Sequence, residues 1–209
     1  MKRTNHLLLL ASTAGCAWAE PSAPADDAEP ITLTLFIHDD VSAEQRANLK
    51  RDYLWFIDEL SDTLQHRIDL VTVTDLHGYT NVDYQQGTAD DAVKRWYERT
   101  LDFRERYRLP LRVESRKYIL VTASSLDSTT QGIALKRNGV AIASLDSYHV
   151  IAHEVGHLFG AEHRQSTVLR PSFLPCLTTM YSPRIPVMPH CYRYSDANRA
   201  IMHRYVQGR

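Results

Sequence analysis

Along the chain, apolar and polar positions fall into short periodic runs that predict alternating strands and helices. From Ile31 to Ile37 the apolar residues Ile31, Leu33, Leu35 and Ile37 alternate with Thr32, Thr34 and Phe36, the period of a strand. Ser42, with Gln45 three residues on, forms a capping box for a helix that carries Leu49, Tyr53, Phe56 and Leu60 inward. Ile68 to Val73 reads as a second strand, and residues 78 to 87 read as polar loop. Thr88 with Asp91 caps a second long helix, with Val93, Trp96, Tyr97 and Leu101 expected inside, which Pro110 forbids from continuing. Tyr118 to Val121 is a third strand. Ile133 to Leu135 and Val140 to Ile142 flank Asn138-Gly139, a hairpin signal. The order predicts an α/β (α+β) fold: a mixed sheet with one antiparallel edge strand, two long helices plus a third, and a small irregular C-terminal part closed by a helix that Ser195 caps.

The third helix carries the chemistry. Val150, Ile151, Val155, Leu158 and Phe159 fit a buried helix on which His153 and His157 lie one turn apart on one face. Two imidazoles so spaced can grip one metal ion, and Glu154 can point to the side where a metal-bound water would sit. Gly160 allows the left-handed turn that stops the helix and returns the chain, bringing His163 to the same metal. Three neutral imidazoles leave a fourth tetrahedral position open, which suits a catalytic Zn2+ rather than a structural one. A lone HExxH segment can arise by chance on an amphipathic helix, but the added requirement for Gly160 and His163 makes chance a poor account.

Residues 153 to 163, HEVGHLFGAEH, resemble the long zinc signature of the metzincin metallopeptidases. Thr179-Met180-Tyr181-Ser182-Pro183 is similar to their methionine turn, in its matrixin version. The stretch from residue 118 through Gln131-Gly132-Ile133-Ala134-Leu135 looks more like the adamalysin or reprolysin branch. The resemblance implies a peptidase for protein or peptide substrates, with Met180 as a hydrophobic floor beneath the metal and Gly132, Ile133, Ala134 and Leu135 as the edge strand along which substrate lies. It also implies that Arg164, where matrixins show Ser and adamalysins Asp, departs from the usual support of the site. Two other readings stand beside the broad endopeptidase: a zinc-binding interaction module without turnover, against which the intact Glu154 argues, and a toxin or processing protease of narrow specificity.

Composition narrows the partners and the compartment. With 24 basic and 25 acidic side chains the net charge is -1, which gives no bulk pull toward nucleic acid or anionic membrane. No stretch reads as a stable membrane span, and a monomer is expected. Lys2 and Arg3, the apolar run from Leu7 to Leu10, and Ala17-Trp18-Ala19 read as a signal peptide over residues 1–19. Residues 20–30 suit a flexible spacer, and 31–209 the catalytic domain, with subdomains 31–160 and 161–209. Ala14-Gly15-Cys16 offers an alternative, a lipoprotein anchored through Cys16; either way the domain is secreted or periplasmic. Export leaves Cys176 and Cys191 where oxidation is allowed, so a disulfide is expected, the alternative being two buried thiols.

Overall fold

Five strands form one sheet in the order β2-β1-β3-β5-β4, from β1 (Ile31–Ile37), β2 (Ile68–Val73), β3 (Arg116–Thr122), β4 (Gly132–Leu135) and β5 (Val140–Ser144). The computed structural model describes residues 29–170, 174–183, 185 and 187–208. The leader, with its two processing readings at Ala19 and Cys16, lies outside the described residues, as does the spacer before residue 29. All pairings are parallel except β4 with β5, which run antiparallel with Ile133 opposite Ile142. The expected antiparallel edge on a largely parallel sheet is therefore present. Its connection is a four-residue 3-10 turn ending at Gly139 in the left-handed region (φ 70°), not a two-residue turn at Asn138-Gly139.

The central strands are buried on both faces, which is why they read as nearly continuous apolar runs. One face packs Leu33, Leu35, Ile119, Val121, Ala141 and Ala143 against α1 (Ala43–Tyr53), α2 (Ile57–Leu64), α4 (Val150–Leu158) and α5 (Asp196–Val206). The other packs Phe36, Tyr118, Leu120 and Ile142 against α3 (Ala89–Arg106). Phe36 meets Trp96 and Phe103 edge-on, both with ring centroids 4.9 Å apart, contacts worth about 0.5–1.5 kcal/mol each beyond their area.

Both capping boxes form, Ser42 with Gln45 and Thr88 with Asp91, and Ser195 caps α5 through the Asn198 amide. Two helical expectations need correction. The stretch carrying Leu49, Tyr53, Phe56 and Leu60 is two helices, broken at Leu54–Phe56. The break lets Leu54 and Phe56 both enter the core while the indole of Trp55 donates to Tyr148 O at 3.0 Å. On α3 the buried positions are Ala92, Val93, Trp96, Thr100 and Phe103; Leu101 is 39% exposed and Tyr97 half-buried. Phe103, with its ring against Phe36, fixes the rotation of the helix and turns Leu101 outward.

Beyond α4 the chain carries little regular structure before α5: a 3-10 turn at His163–Gln165 and a short antiparallel pair, β6 (Val168–Leu169) and β7 (Cys176–Leu177). Cys176 and Cys191 are joined by a disulfide with Cα atoms 5.2 Å apart, closing the segment that holds Met180.

Candidate metal centre and catalytic cleft

Helix α4 ends because Gly160 adopts φ 91°, and the Ala161 amide then donates back to Gly156 O at 3.0 Å. The reversal carries His163 beside the helix face that presents His153 and His157. His163 Nε2 lies 2.9 Å from His153 Nε2 and 3.0 Å from His157 Nε2. The three ring nitrogens lie within 4.8 Å of one another and could hold a metal ion.

The other nitrogen of each helical imidazole fixes its proton. His153 Nδ1 faces Thr179 O at 2.9 Å, and His157 Nδ1 faces Ala161 O at 3.0 Å. Carbonyl oxygens only accept, so both Nδ1 atoms carry hydrogen and both Nε2 atoms turn lone pairs toward the shared centre. Burial keeps these rings neutral. It pushes His153 down to about 3, with the neighbouring imidazoles adding to the effect, and it lowers His157, where the charges of His163 and Lys136 act in the same direction. The three imidazoles gathered on one point form a donor set for a cation, with a carbonyl behind each helical ring as is usual for metal-ligating histidines. His163 is held from its own side: the side-chain amide of Asn198 accepts from the Glu162 amide at 2.8 Å and donates to Glu162 O at 3.1 Å.

The centre opens into a cleft of about 770 Å³ bounded by β4, α4 and the segment Tyr181–Pro183. Glu154 faces this cleft and is 6% exposed. Its carboxylate accepts no hydrogen bond among the described residues, and burial pushes its pKa up to about 8. A carboxylate so placed has raised proton affinity and shares one cleft with the imidazoles.

Of the edge-strand residues, Gly132, Ile133 and Ala134 line the cleft, whereas Leu135 does not and packs on the α3 side. Gly132 leaves room for the general-base candidate, since a Cβ there would stand 2.6 Å from Glu154 Cγ. Met180 is fully buried beneath α4 and meets Gly156, where a Cβ would stand 2.6 Å from the Met180 sulfur and 2.8 Å from the Tyr194 ring. Arg164, at the departure from the usual signature, pairs with Glu162 at 2.5 Å. His149 and His190 do not join the metal triad; they stack on each other at 3.8 Å, and His149 lines the cleft. Asn198 and Gly156 were not legible as supports of the site, nor were the contacts of Thr179 with His153 and of Gly132 with Glu154, although both residues lie in segments the sequence singles out. The signal that could have found them is pairing in space, which a single chain of letters does not carry.

No family model matches the chain, and no curated protein matches it. Among solved structures it is similar to metalloproteinase-II from Bacteroides fragilis, with a TM-score of 0.57 and 19% identity over 90% of this chain and 55% of that one. This likeness shows the fold. It is also similar to a zinc-dependent peptidase from Methanocorpusculum labreanum (TM-score 0.49, 18% identity, 81% of this chain and 99% of that one). A third similar structure is archaemetzincin from Methanopyrus kandleri (TM-score 0.48, 15% identity, 85% and 96%).

Proposed function

We propose that this chain is a zinc-dependent endopeptidase of the metzincin type, secreted or periplasmic, that hydrolyses peptide bonds with Glu154 as general base. The observation that carries the reading is the convergence of three Nε2 atoms beside a buried carboxylate, without a hydrogen bond among the described residues, in one open cleft. The name of the similar structure from Bacteroides fragilis, a metalloproteinase, agrees with it.

His153, His157 and His163 would hold the ion; imidazole donors and an open fourth position suit zinc. When bound, zinc lowers the pKa of a coordinated water toward about 7 and polarises a carbonyl oxygen. Glu154, which faces the cleft beside the imidazoles, accepts the proton of the attacking water as a carboxylate and returns it to the leaving amine. The water is the nucleophile, so no covalent intermediate forms on the chain. An extended peptide adds along the free edge of β4, where Gly132, Ile133 and Ala134 offer backbone groups beside Glu154. Met180 holds the middle of α4 from beneath, so the two helical ligands keep their spacing.

The test is metal analysis joined to cleavage. Dialysed protein should regain one zinc per chain and cleave an extended peptide, and a chelator should abolish both. His163→Ala should lose zinc and activity, while His149→Ala and His190→Ala keep the metal. Zinc held at full occupancy with no cleavage of any member of a mixed peptide library would instead identify a zinc-binding module.

A further inference from the structure

Lys136 carries a charge that the proposed reaction leaves unused. It directly follows β4, is exposed, and lines the same cleft as the three imidazoles and Glu154. Along β4, Ile133 and Leu135 turn toward the α3 side and Ala134 toward the α4 side, and Lys136 opens the 3-10 turn that follows. Its amine rests on the turn that ends α4, where a Cβ on Gly160 would stand 3.0 Å from Lys136 Nζ. The glycine that lets the chain reach His163 thus also seats this cation.

Among the described residues no carboxylate forms an ion pair with Lys136: Glu162 lines the same cleft and the Lys136 charge helps to hold its carboxyl down, but that carboxylate is engaged by Arg164 at 2.5 Å, and Glu154 lies against Gly132 at the opposite end of β4. A cation without an ion-pair partner on the wall of a substrate cleft can take one from the substrate. Antiparallel pairing is the more stable per residue, and a peptide so added to β4 runs from the Lys136 end toward the Glu154 end, so the residues beside Lys136 precede the bond beside Glu154. Gly132 and Lys136 are four residues apart, roughly 13 Å of strand, and the lysine stem reaches part of the way back. The only chain terminus that could lie there is an ammonium, which Lys136 repels, so the matching carboxylate belongs to a side chain.

We propose that Lys136 is a specificity-determining residue that selects peptides bearing Asp or Glu two to four residues before the cleaved bond. The proposal rests on the peptidase reading above and adds to it the chemical class of substrate.

The experiment takes a peptide that the zinc-loaded protein cleaves, chosen from a mixed library, and places Glu or Gln in turn at each of the four positions before the cleaved bond. Wild type, Lys136→Met and Lys136→Glu are compared at matched zinc content. Wild type should prefer Glu over Gln in kcat/KM by roughly fivefold at one of positions two to four, the scale of an exposed ion pair. The preference should vanish in Lys136→Met and turn toward a Lys-bearing peptide in Lys136→Glu. Equal rates for Glu and Gln in wild type, or a preference that survives in Lys136→Glu, overturns the role of Lys136 and leaves the peptidase standing. No cleavage of any library peptide overturns the peptidase reading and this inference with it.

Discussion

Gly132 and Glu154 occupy adjoining space: a β-carbon built on the first residue of β4 would stand 2.6 Å from Cγ and 2.8 Å from Oε1 of the carboxylate on α4. The edge strand and the general-base candidate are therefore set by each other. Gly132→Ala should displace the carboxylate rather than the backbone, because the side chain is the easier part to move. A displacement on the order of 1 Å can cost about a hundredfold in rate. We expect kcat/KM to fall by at least tenfold with zinc content unchanged. Full activity in the variant would show that the carboxylate position is not critical.

Gly156 makes a second such contact, with Met180 and Tyr194. Replacing a glycine inside a helix by alanine ordinarily stabilises by about 0.5–1 kcal/mol. Here the added methyl meets a sulfur at 2.6 Å and a ring carbon at 2.8 Å in a fully buried layer, and overpacking of this kind costs about 1–3 kcal/mol. The clash should win. Urea unfolding should show Gly156→Ala less stable than wild type; a more stable variant would mean that Met180 does not press on α4.

How far these contacts could be foreseen depends on whether their signal is local. The capping boxes at Ser42 and Thr88 and the spacing of His153, His157, Gly160 and His163 act within a turn or two, and the structure brings the three histidines together as that spacing demands. The break at Leu54–Phe56 and the outward turn of Leu101 were not legible, because each is decided by packing against residues far along the chain. The close approaches of Gly132 to Glu154 and of Gly156 to Met180 carry no local signal for the same reason. Lys117, just before the expected third strand, is fully buried, and no local pattern marks it.

That lysine has a pH signature. Its ammonium sits at the C-terminal end of α4, donating to Leu158 O at 3.0 Å and to the Tyr205 hydroxyl at 3.1 Å, with the Phe159 ring centroid 4.5 Å away. Burial nevertheless pushes its pKa from 10.5 down to about 7. Between those values the unfolded chain binds a proton that the folded chain does not, so this group makes stability rise with pH from about 7 to about 10.5. Wild type should gain on the order of 2 kcal/mol relative to Lys117→Met between about pH 7 and 9 in urea unfolding. Parallel pH profiles for the two proteins would contradict this.

The disulfide between Cys176 and Cys191 spans 15 residues and encloses Met180. A closed loop of that size stabilises by about 3 kcal/mol through the unfolded chain. Replacing both cysteines by serine should lower unfolding free energy by about that amount, read by denaturant titration of oxidised wild type against the double variant. An unchanged midpoint would mean that the crosslink constrains nothing.

The central claim is that the three imidazoles hold the metal while Glu154 moves the proton, and Glu154→Gln separates the two tasks. The amide keeps the size of the carboxylate at a buried position where no hydrogen bond depends on its charge, so the fold should survive. It cannot take the water's proton, and losses of a general base run to about 10²–10⁴-fold. Zinc content and kcat/KM on an extended peptide, measured on one preparation, decide the matter. Glu154→Gln should keep one zinc per chain with cleavage reduced at least a hundredfold, and cleavage at the wild-type rate would show that Glu154 does not move the proton.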